Sequence, residues 1–287
     1  MRTVGADRLR SFTSEGKLRA RKNAEIRRDP PCKVQNYTEL ATFVANLQYE
    51  NPDYVLLFRG QNDDYMRDSD GNAKTTLMPS LLRGRSGSNP SRQMLRDGFD
   101  ELSRAERALV RAYEAENFPN IDELKRQRIL RWSILQHYEI CPTPLLDVTH
   151  SLRIAASFAS DHRGREAYLF VLAVPNLSGA ITASAEAGLQ IVRLASVCPP
   201  EAMRPHIQEG YLLGEYPEMG DFDAKENYAH WEVDFGRRLL AKFRFDIAPF
   251  WQNSGYFPQV QHNALYPDHN DPLFSLAERV KRRSNLA

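Results

Sequence analysis

The run AYLFVLAV, Ala167 to Val174, holds eight apolar residues without a polar break. It is far shorter than the roughly 20 residues that a membrane-spanning helix needs. No polar face alternates with an apolar one, so the run reads as a strand buried in a core. A shorter run of the same kind, Val55 to Phe58 in DYVLLFRGQ, reads the same way and ends on Arg59, Gly60 and Gln61. The chain must therefore enclose a sheet, and the remaining segments must cover it.

Helical spacing identifies the cover. Leu40, Phe43, Val44 and Leu47 recur in steps of three or four, with Asn36 or Thr38 as the cap. Leu95, Phe99, Leu102, Leu109 and Tyr113 form the stripe of a long helix. A further helix is expected from about Ile121 to Tyr138, with Leu130, Ile134 and Leu135 inward and Pro142 and Pro144 forbidding its continuation. SLRIAASFAS predicts a helix of small residues suited to close packing beneath a sheet. GLQIVRLA, GYLLGEY and LLAKFRFDI add strands, and two short helices flank NALYPD, the last with Leu273, Leu276 and Val280 inward. Helices mainly occupy the N-terminal half and strands the C-terminal half. That order predicts an α+β fold, its helices packed on a mostly antiparallel sheet.

Charge divides the chain unevenly. Residues 1–30 carry nine Lys/Arg against four Asp/Glu, hold few large apolar residues and close on Asp29-Pro30-Pro31. This predicts a disordered basic arm over residues 1–32 and a single domain over 33–287. Such an arm is either a solvated tail or a contact for nucleic acid or an acidic partner. The start of the sequence lacks the apolar centre of a secretory signal, and no run is long enough to cross a membrane. Cys32, Cys141 and Cys198 are too scattered for a disulfide framework or a Cys-x-x-Cys metal site, so a reducing cytoplasmic setting is expected. There is no glycine-rich phosphate loop, no His-Glu-x-x-His and no Gly-x-Ser-x-Gly. His137, His150, His162 and His206 lack zinc-site pairings, and no metal is expected.

Three stretches could carry chemistry. In the first, Arg59 at a strand end offers a fork for phosphate or carboxylate, Gly60 clears room for a ligand, and Gln61 both donates and accepts. Equally, Arg59 could be structural, paired with a buried acid. In the second, LQHYEICPTPLLDVTHSLRIAASFAS, the residues Gln136, His137, Asp147 and Thr149 gather around a proline-bent corner. Helix capping by Asp147, Thr149 or Ser151 explains part of this cluster. In the third, RPHIQEGYLLG, strand alternation would put Gln208 and Gly210 on one face, and Glu209 and Tyr211 on the other. A polar start to an edge strand explains it as well.

Taken together and in order, LLFRGQ, TTLMPSLLRG, the long central motif and an Arg…Gln-x-Gly segment resemble the FRG domain, named for its Phe-Arg-Gly tripeptide. Gln136, His137, Pro142, Thr143, Leu145, Leu146, Asp147, Thr149, Phe158 and Ala159 keep the family pattern. Glu139 stands where glycine is usual, Pro144 where arginine is common and Val148 in place of tryptophan. LYPD, Leu265 to Asp268, looks like the family's close, so the resemblance spans roughly residues 36–283. Members occur in bacterial and phage proteins, which implies a defence or toxin-like setting. The order of Arg59, then Asp147 and Thr149, then Gln208 and Glu209 is also similar to the architecture of ADP-ribosyltransferases, which implies a split sheet holding NAD.

The resemblance implies one cleft for an anionic or nucleotide-like ligand. Arg59, Gly60, Gln61, Arg83, Gln136 and Arg204 would bind it. His137, Asp147, Thr149, Gln208 and Glu209 would act on it, Glu209 stabilising an oxocarbenium-like centre if it faces the cleft. NAD would be a substrate, and no cofactor would be held permanently. The rival expectation is a non-catalytic ligand-sensing or protein-interaction module in which the same polar residues form a structural network.

Overall fold

The computed structural model describes residues 1–5, 8–68, 71–84, 89–226 and 233–284. The chain opens with a hairpin of β1 (Leu9–Phe12) and β2 (Leu18–Arg21), then α1 (Asn23–Arg28) and β3 (Cys32–Lys33). Next come α2 (Tyr37–Glu50) and β4 (Val55–Gln61), followed by a small hairpin of β5 (Met66–Arg67) and β6 (Lys74–Thr75). Three helices follow, α3 (Arg92–Ala115), α4 (Ile121–Arg126) and α5 (Arg128–His137). Then β7 (Leu146–Thr149) leads into α6 (Leu152–Ser160), β8 (Glu166–Val174), β9 (Ile181–Ser184) and β10 (Leu189–Arg193). Two short helices, α7 (Leu194–Val197) and α8 (Met203–Ile207), precede β11 (Gly210–Glu215) and α9 (Phe222–Glu226). The chain closes with β12 (Leu239–Asp246), α10 (Ile247–Gln252), α11 (His262–Leu265) and α12 (Pro272–Ser284).

The main sheet runs β3-β12-β8-β4-β7-β11-β10-β9, antiparallel except for β3 beside β12. The α+β expectation holds. β8 lies between β12 and β4, and Leu169 to Val174 are fully buried, as an unbroken apolar run requires. The Asn36 side chain accepts from the Glu39 N–H to cap α2, and Leu273, Leu276 and Val280 bury the inner face of α12. No helix among the described residues is long and apolar enough to cross a membrane.

Four readings of the sequence are corrected here. The described residues of the first 30 do not form a disordered arm: they fold into β1, β2 and α1. Ser11 donates to the Leu240 carbonyl (2.6 Å), Asn23 donates to the carbonyls of Gly236 and Leu239 (3.0 and 2.8 Å), and Arg27 pairs with Asp234. Composition failed because several of the basic residues meet acids or carbonyls far away in the chain. The helix expected over 121–138 breaks at Gln127, where Arg131 Nη1 donates to the carbonyls of Leu124 and Lys125 (both 2.8 Å) and ends α4. Leu146–Thr149, read as the approach to a helix, is an inner strand of the sheet. The segment before β11, read as extended, is helical over 203–207, so strand alternation says nothing about Gln208 and Glu209.

Candidate functional site

The sheet parts at its centre. β4 and β7 meet at a single register pair, Phe58 with Thr149, beyond which each strand pairs only outward. Arg59, Gly60 and Gln61 continue along β8, while Leu146 to Val148 continue along β11. Antiparallel geometry puts those two stretches opposite each other across the gap. Arg59 bridges it: Nη1 donates to the Asp147 carbonyl oxygen at 2.6 Å. Because β4 runs on to Gln61, Arg59 is not the last residue of its strand; it stands where the sheet begins to split.

A cavity of about 240 Å³ opens beside this split. Phe58, Arg59 and Gly60 line it from one half of the sheet, and Asp147, Val148, Thr149, Gly210 and Tyr211 from the other. The end of α5 adds Gln136, His137 and Glu139, and α6 adds Ala155 and Phe158. Leu194, Arg204, Gln208 and Tyr266 complete the wall. Eight of the residues singled out from the sequence thus come together: Arg59, Gly60, Gln136, His137, Asp147, Thr149, Arg204 and Gln208.

Three others do not line the cavity. Gln61 lies beyond it on β4, opposite Tyr168. Arg83 is exposed and donates from Nε to the Met78 carbonyl (2.8 Å). Glu209 is exposed and has φ of +44°, its side chain outside the cavity, so the role of a carboxylate facing the ligand does not fall to it.

Gly60 has a reason different from ligand clearance. A Cβ there would lie 2.6 Å from the Ala159 nitrogen and closer still to the Ala155 carbonyl oxygen. The small-residue helix α6 packs its backbone directly on β4 at this point, which only glycine permits.

Polar groups in the wall fall into two kinds. One is a closed relay. The Leu145 N–H donates to Thr143 Oγ1 (3.2 Å), Thr143 donates to Gln136 Oε1, and Gln136 Nε2 donates to Asp147 Oδ2 (2.6 Å). This chain fixes the orientation of the Gln136 amide and holds the carboxylate at the cavity edge. Burial pushes the Asp147 pKa above the usual carboxylate range, against the opposing pull of Arg59 and the Gln136 bond. Thr149 is also committed: Oγ1 donates toward the Gln208 and Glu209 carbonyls (2.8 and 3.2 Å) and accepts from the Ser151 N–H (3.0 Å). Of the three capping candidates, Ser151 at the start of α6 forms no side-chain cap bond, while Thr149 takes up the Ser151 N–H just before the helix.

The other kind is uncommitted. Seven buried side-chain nitrogens and oxygens have no hydrogen-bond partner among the described residues, and three of them belong to this wall: Arg59 Nε, His137 Nε2 and Arg204 Nε. Arg59 makes no ion pair among the described residues, and burial lowers its pKa to about 10, with Asp147 opposing and Arg83 adding to the fall. His137 is 5 % exposed, and burial, reinforced by Arg204, lowers its pKa to about 3. Its ring is therefore neutral at ordinary pH. Asp147 bonds to Gln136, not to His137, so there is no His–Asp dyad here.

Glu139, Tyr211 and Tyr266 were not picked out as site residues. Glu139 has φ of +53° and closes α5 with the bonds Glu139 N–H to Gln136 O and Ile140 N–H to Leu135 O, the helix ending that favours glycine. Its place in the sequence carried a signal, since the FRG pattern has glycine there. Tyr266, in LYPD, reaches the cavity from the far C-terminal part of the chain, which no local pattern announces. Among the described residues no group of three or more His, Cys, Asp or Glu is placed to hold a metal ion.

Residues 55–167 match the family profile of the FRG domain, a span that begins at β4 and contains Arg59, Gln136, His137, Asp147 and α6. No curated protein and no solved structure matches the chain.

Proposed function

We propose that the FRG domain carried by this chain is the core of a binding site for a small anionic, nucleotide-like ligand, seated in the cavity at the sheet split. The observation that carries this reading is Arg59. It is a half-buried guanidinium whose Nε is shut from solvent, anchored through one nitrogen to a backbone carbonyl, with no ion pair to a carboxylate among the described residues and Nε unbonded on a cavity wall. A structural arginine taken out of water is ordinarily matched by an acid. One that faces a cavity unmatched suits phosphate or carboxylate, which its fork binds bidentately. Phe58, Phe158, Tyr211 and Tyr266 offer flat surfaces for a ring, and Gln136 and Gln208 offer amides in the same wall.

The cavity lies below the roughly 300–1,000 Å³ typical of drug-sized ligands. It suits a mononucleotide-sized group or one end of a dinucleotide such as NAD. Asp147 supports a second reading, that the site cleaves the nicotinamide–ribose bond. It is the carboxylate held at the split beside Arg59, and it would take the role that Glu209 would have had if it faced the cleft. A carboxylate there would stabilise the oxocarbenium-like centre that forms as the bond breaks. NAD cleavage of that kind would fit the defence or toxin-like setting implied by the family resemblance.

The binding reading is tested by thermal shift and calorimetry with AMP, ADP-ribose and NAD on wild type and Arg59→Met. Saturable binding that is lost in a folded Arg59→Met supports it; no binding of any of the three sinks it. The cleavage reading is tested by free nicotinamide released from NAD. It fails if NAD binds without release, or if Asp147→Asn releases nicotinamide at the wild-type rate.

A further inference from the structure

Arg204 is the second cation of the cavity, and its surroundings differ from those of Arg59. Its side chain is 6 % exposed, and its guanidinium lies 4.5 Å from the Tyr266 ring centre and 5.6 Å from that of Tyr138. Ring contacts hold a guanidinium in place yet leave its N–H edge for an acceptor. Nη2 donates to Glu139 Oε1 at 3.1 Å, and Nε is unbonded. The partners are unequal. The Glu139 side chain is 67 % exposed and sits on a backbone with φ of +53°, which glycine adopts freely and glutamate does not. Among the described residues, its one side-chain bond is the one to Arg204.

The cavity wall thus carries two guanidinium groups, Arg59 and Arg204, and two carboxylates, Asp147 and Glu139, of which Glu139 alone is ion-paired to one of the two arginines among the described residues. Asp147 is fixed by Gln136, whereas Glu139 reaches in from solvent. Both guanidinium groups border one small cavity, within reach of a single molecule.

We propose that the ligand carries two anionic groups, one for Arg59 and one for Arg204, and that the Glu139 carboxylate holds the place of the second until the ligand displaces it. This rests on the binding reading above and narrows its ligand class to small molecules with two separate anionic groups, of the nucleoside diphosphate kind. Displacement converts an ion pair exposed on one side into one enclosed by protein. A second phosphate also brings Arg204 more negative charge and more acceptor oxygens than the single Glu139 carboxylate does.

The experiment titrates the full chain with ADP and with AMP, in wild type, Glu139→Gly, Glu139→Gln, Arg204→Met and Arg59→Met. Glycine fits the backbone at 139 and glutamine keeps the side-chain size, so at least one of the two variants keeps the fold. Wild type is expected to bind ADP more tightly than AMP. Both Glu139 variants should tighten ADP fivefold or more while moving AMP less than twofold. Arg204→Met should erase the preference for ADP and retain AMP binding, and Arg59→Met should lose both nucleotides. The inference is overturned if ADP affinity in both Glu139 variants stays within twofold of wild type, or if Arg204→Met keeps the preference, while Arg59→Met abolishes binding. In either case the single-anion reading survives. If no form of the protein binds either nucleotide, both readings fall together.

Discussion

Two buried charged clusters in this molecule are built on opposite plans. Beneath the N-terminal hairpin, Arg27 pairs with Asp234 and donates from Nε to the Thr75 carbonyl (2.9 Å). Lys242 beside it meets Asp64 (2.7 Å) and Thr75 Oγ1 (2.6 Å), and Asp234 also accepts the N–H groups of Leu77 and Gly236. No buried nitrogen or oxygen of these side chains lacks a partner. At the sheet split, Arg59, His137 and Arg204 each keep one ring or guanidinium nitrogen unbonded beside a cavity. The first cluster is closed and fixes a packing. The second is left incomplete, and the proposed ligand would complete it.

Breaking the closed cluster gives the largest expected effect. Arg27→Ala leaves the Asp234 carboxylate buried without its cation and should lower stability by about 3–5 kcal/mol in urea denaturation. A loss below about 1 kcal/mol would place that cluster among ordinary surface pairs. Gly60→Ala forces a methyl group into the α6 backbone and should cost about 1–3 kcal/mol or prevent folding. A stable, unperturbed Gly60→Ala protein would restore ligand clearance as the reason for that glycine.

A smaller effect separates the clusters by pH. The His137 pKa is depressed, so below the unfolded-state value of about 6.5 the unfolded chain binds a proton that the folded one refuses. Stability that is complete above about pH 6.5 should fall on acidification by up to about 1.4 kcal/mol per pH unit until the folded pKa is reached. Comparing wild type with His137→Gln between pH 7 and pH 5 isolates this loss, and parallel curves would refute it. Arg59→Met removes a desolvated charge but also takes from Asp147 the nearby cation that favours its charged form and strands its carbonyl, so with the effects opposed stability should change by about 1 kcal/mol or less. A loss as large as that of Arg27→Ala would make the open cluster structural after all. The smallest effect belongs to Asp147, whose pKa is raised. The folded state then holds the proton more strongly, and stability falls as pH rises from the ordinary carboxylate range through the raised value. Melting temperatures of Asp147→Asn should therefore gain on wild type over that window. A constant difference would show the carboxyl to titrate normally.

The local elements were legible because their causes are local. The apolar run at 167–174, the cap at Asn36 and the stripe of α3 each depend on neighbours within a few residues, and each stands where the sequence put it. Most of the candidate wall was legible too, because Gln136, His137, Asp147 and Thr149 belong to one continuous motif. Glu209 was misplaced because a single helical turn at 203–207 replaces the extended path that alternation assumed. Glu139 and Tyr266 went unpicked because their part in the wall comes from contacts with Arg204 and Phe158, distant in sequence.

By itself, then, the sequence determined the apolar strands at 55–58 and 167–174, the helices with a clear apolar stripe and most of the polar residues that meet at the cavity. Tertiary structure alone decided that β4 and β7 part after one register pair, that basic residues of the first 30 are spent inside the protein, and that Arg59 lines a cavity without an ion pair among the described residues. The physical reason is that periodicity and composition report each residue's own preference for water or for protein. Whether a buried charge is answered depends on which distant atom arrives beside it, and only the packed chain settles that.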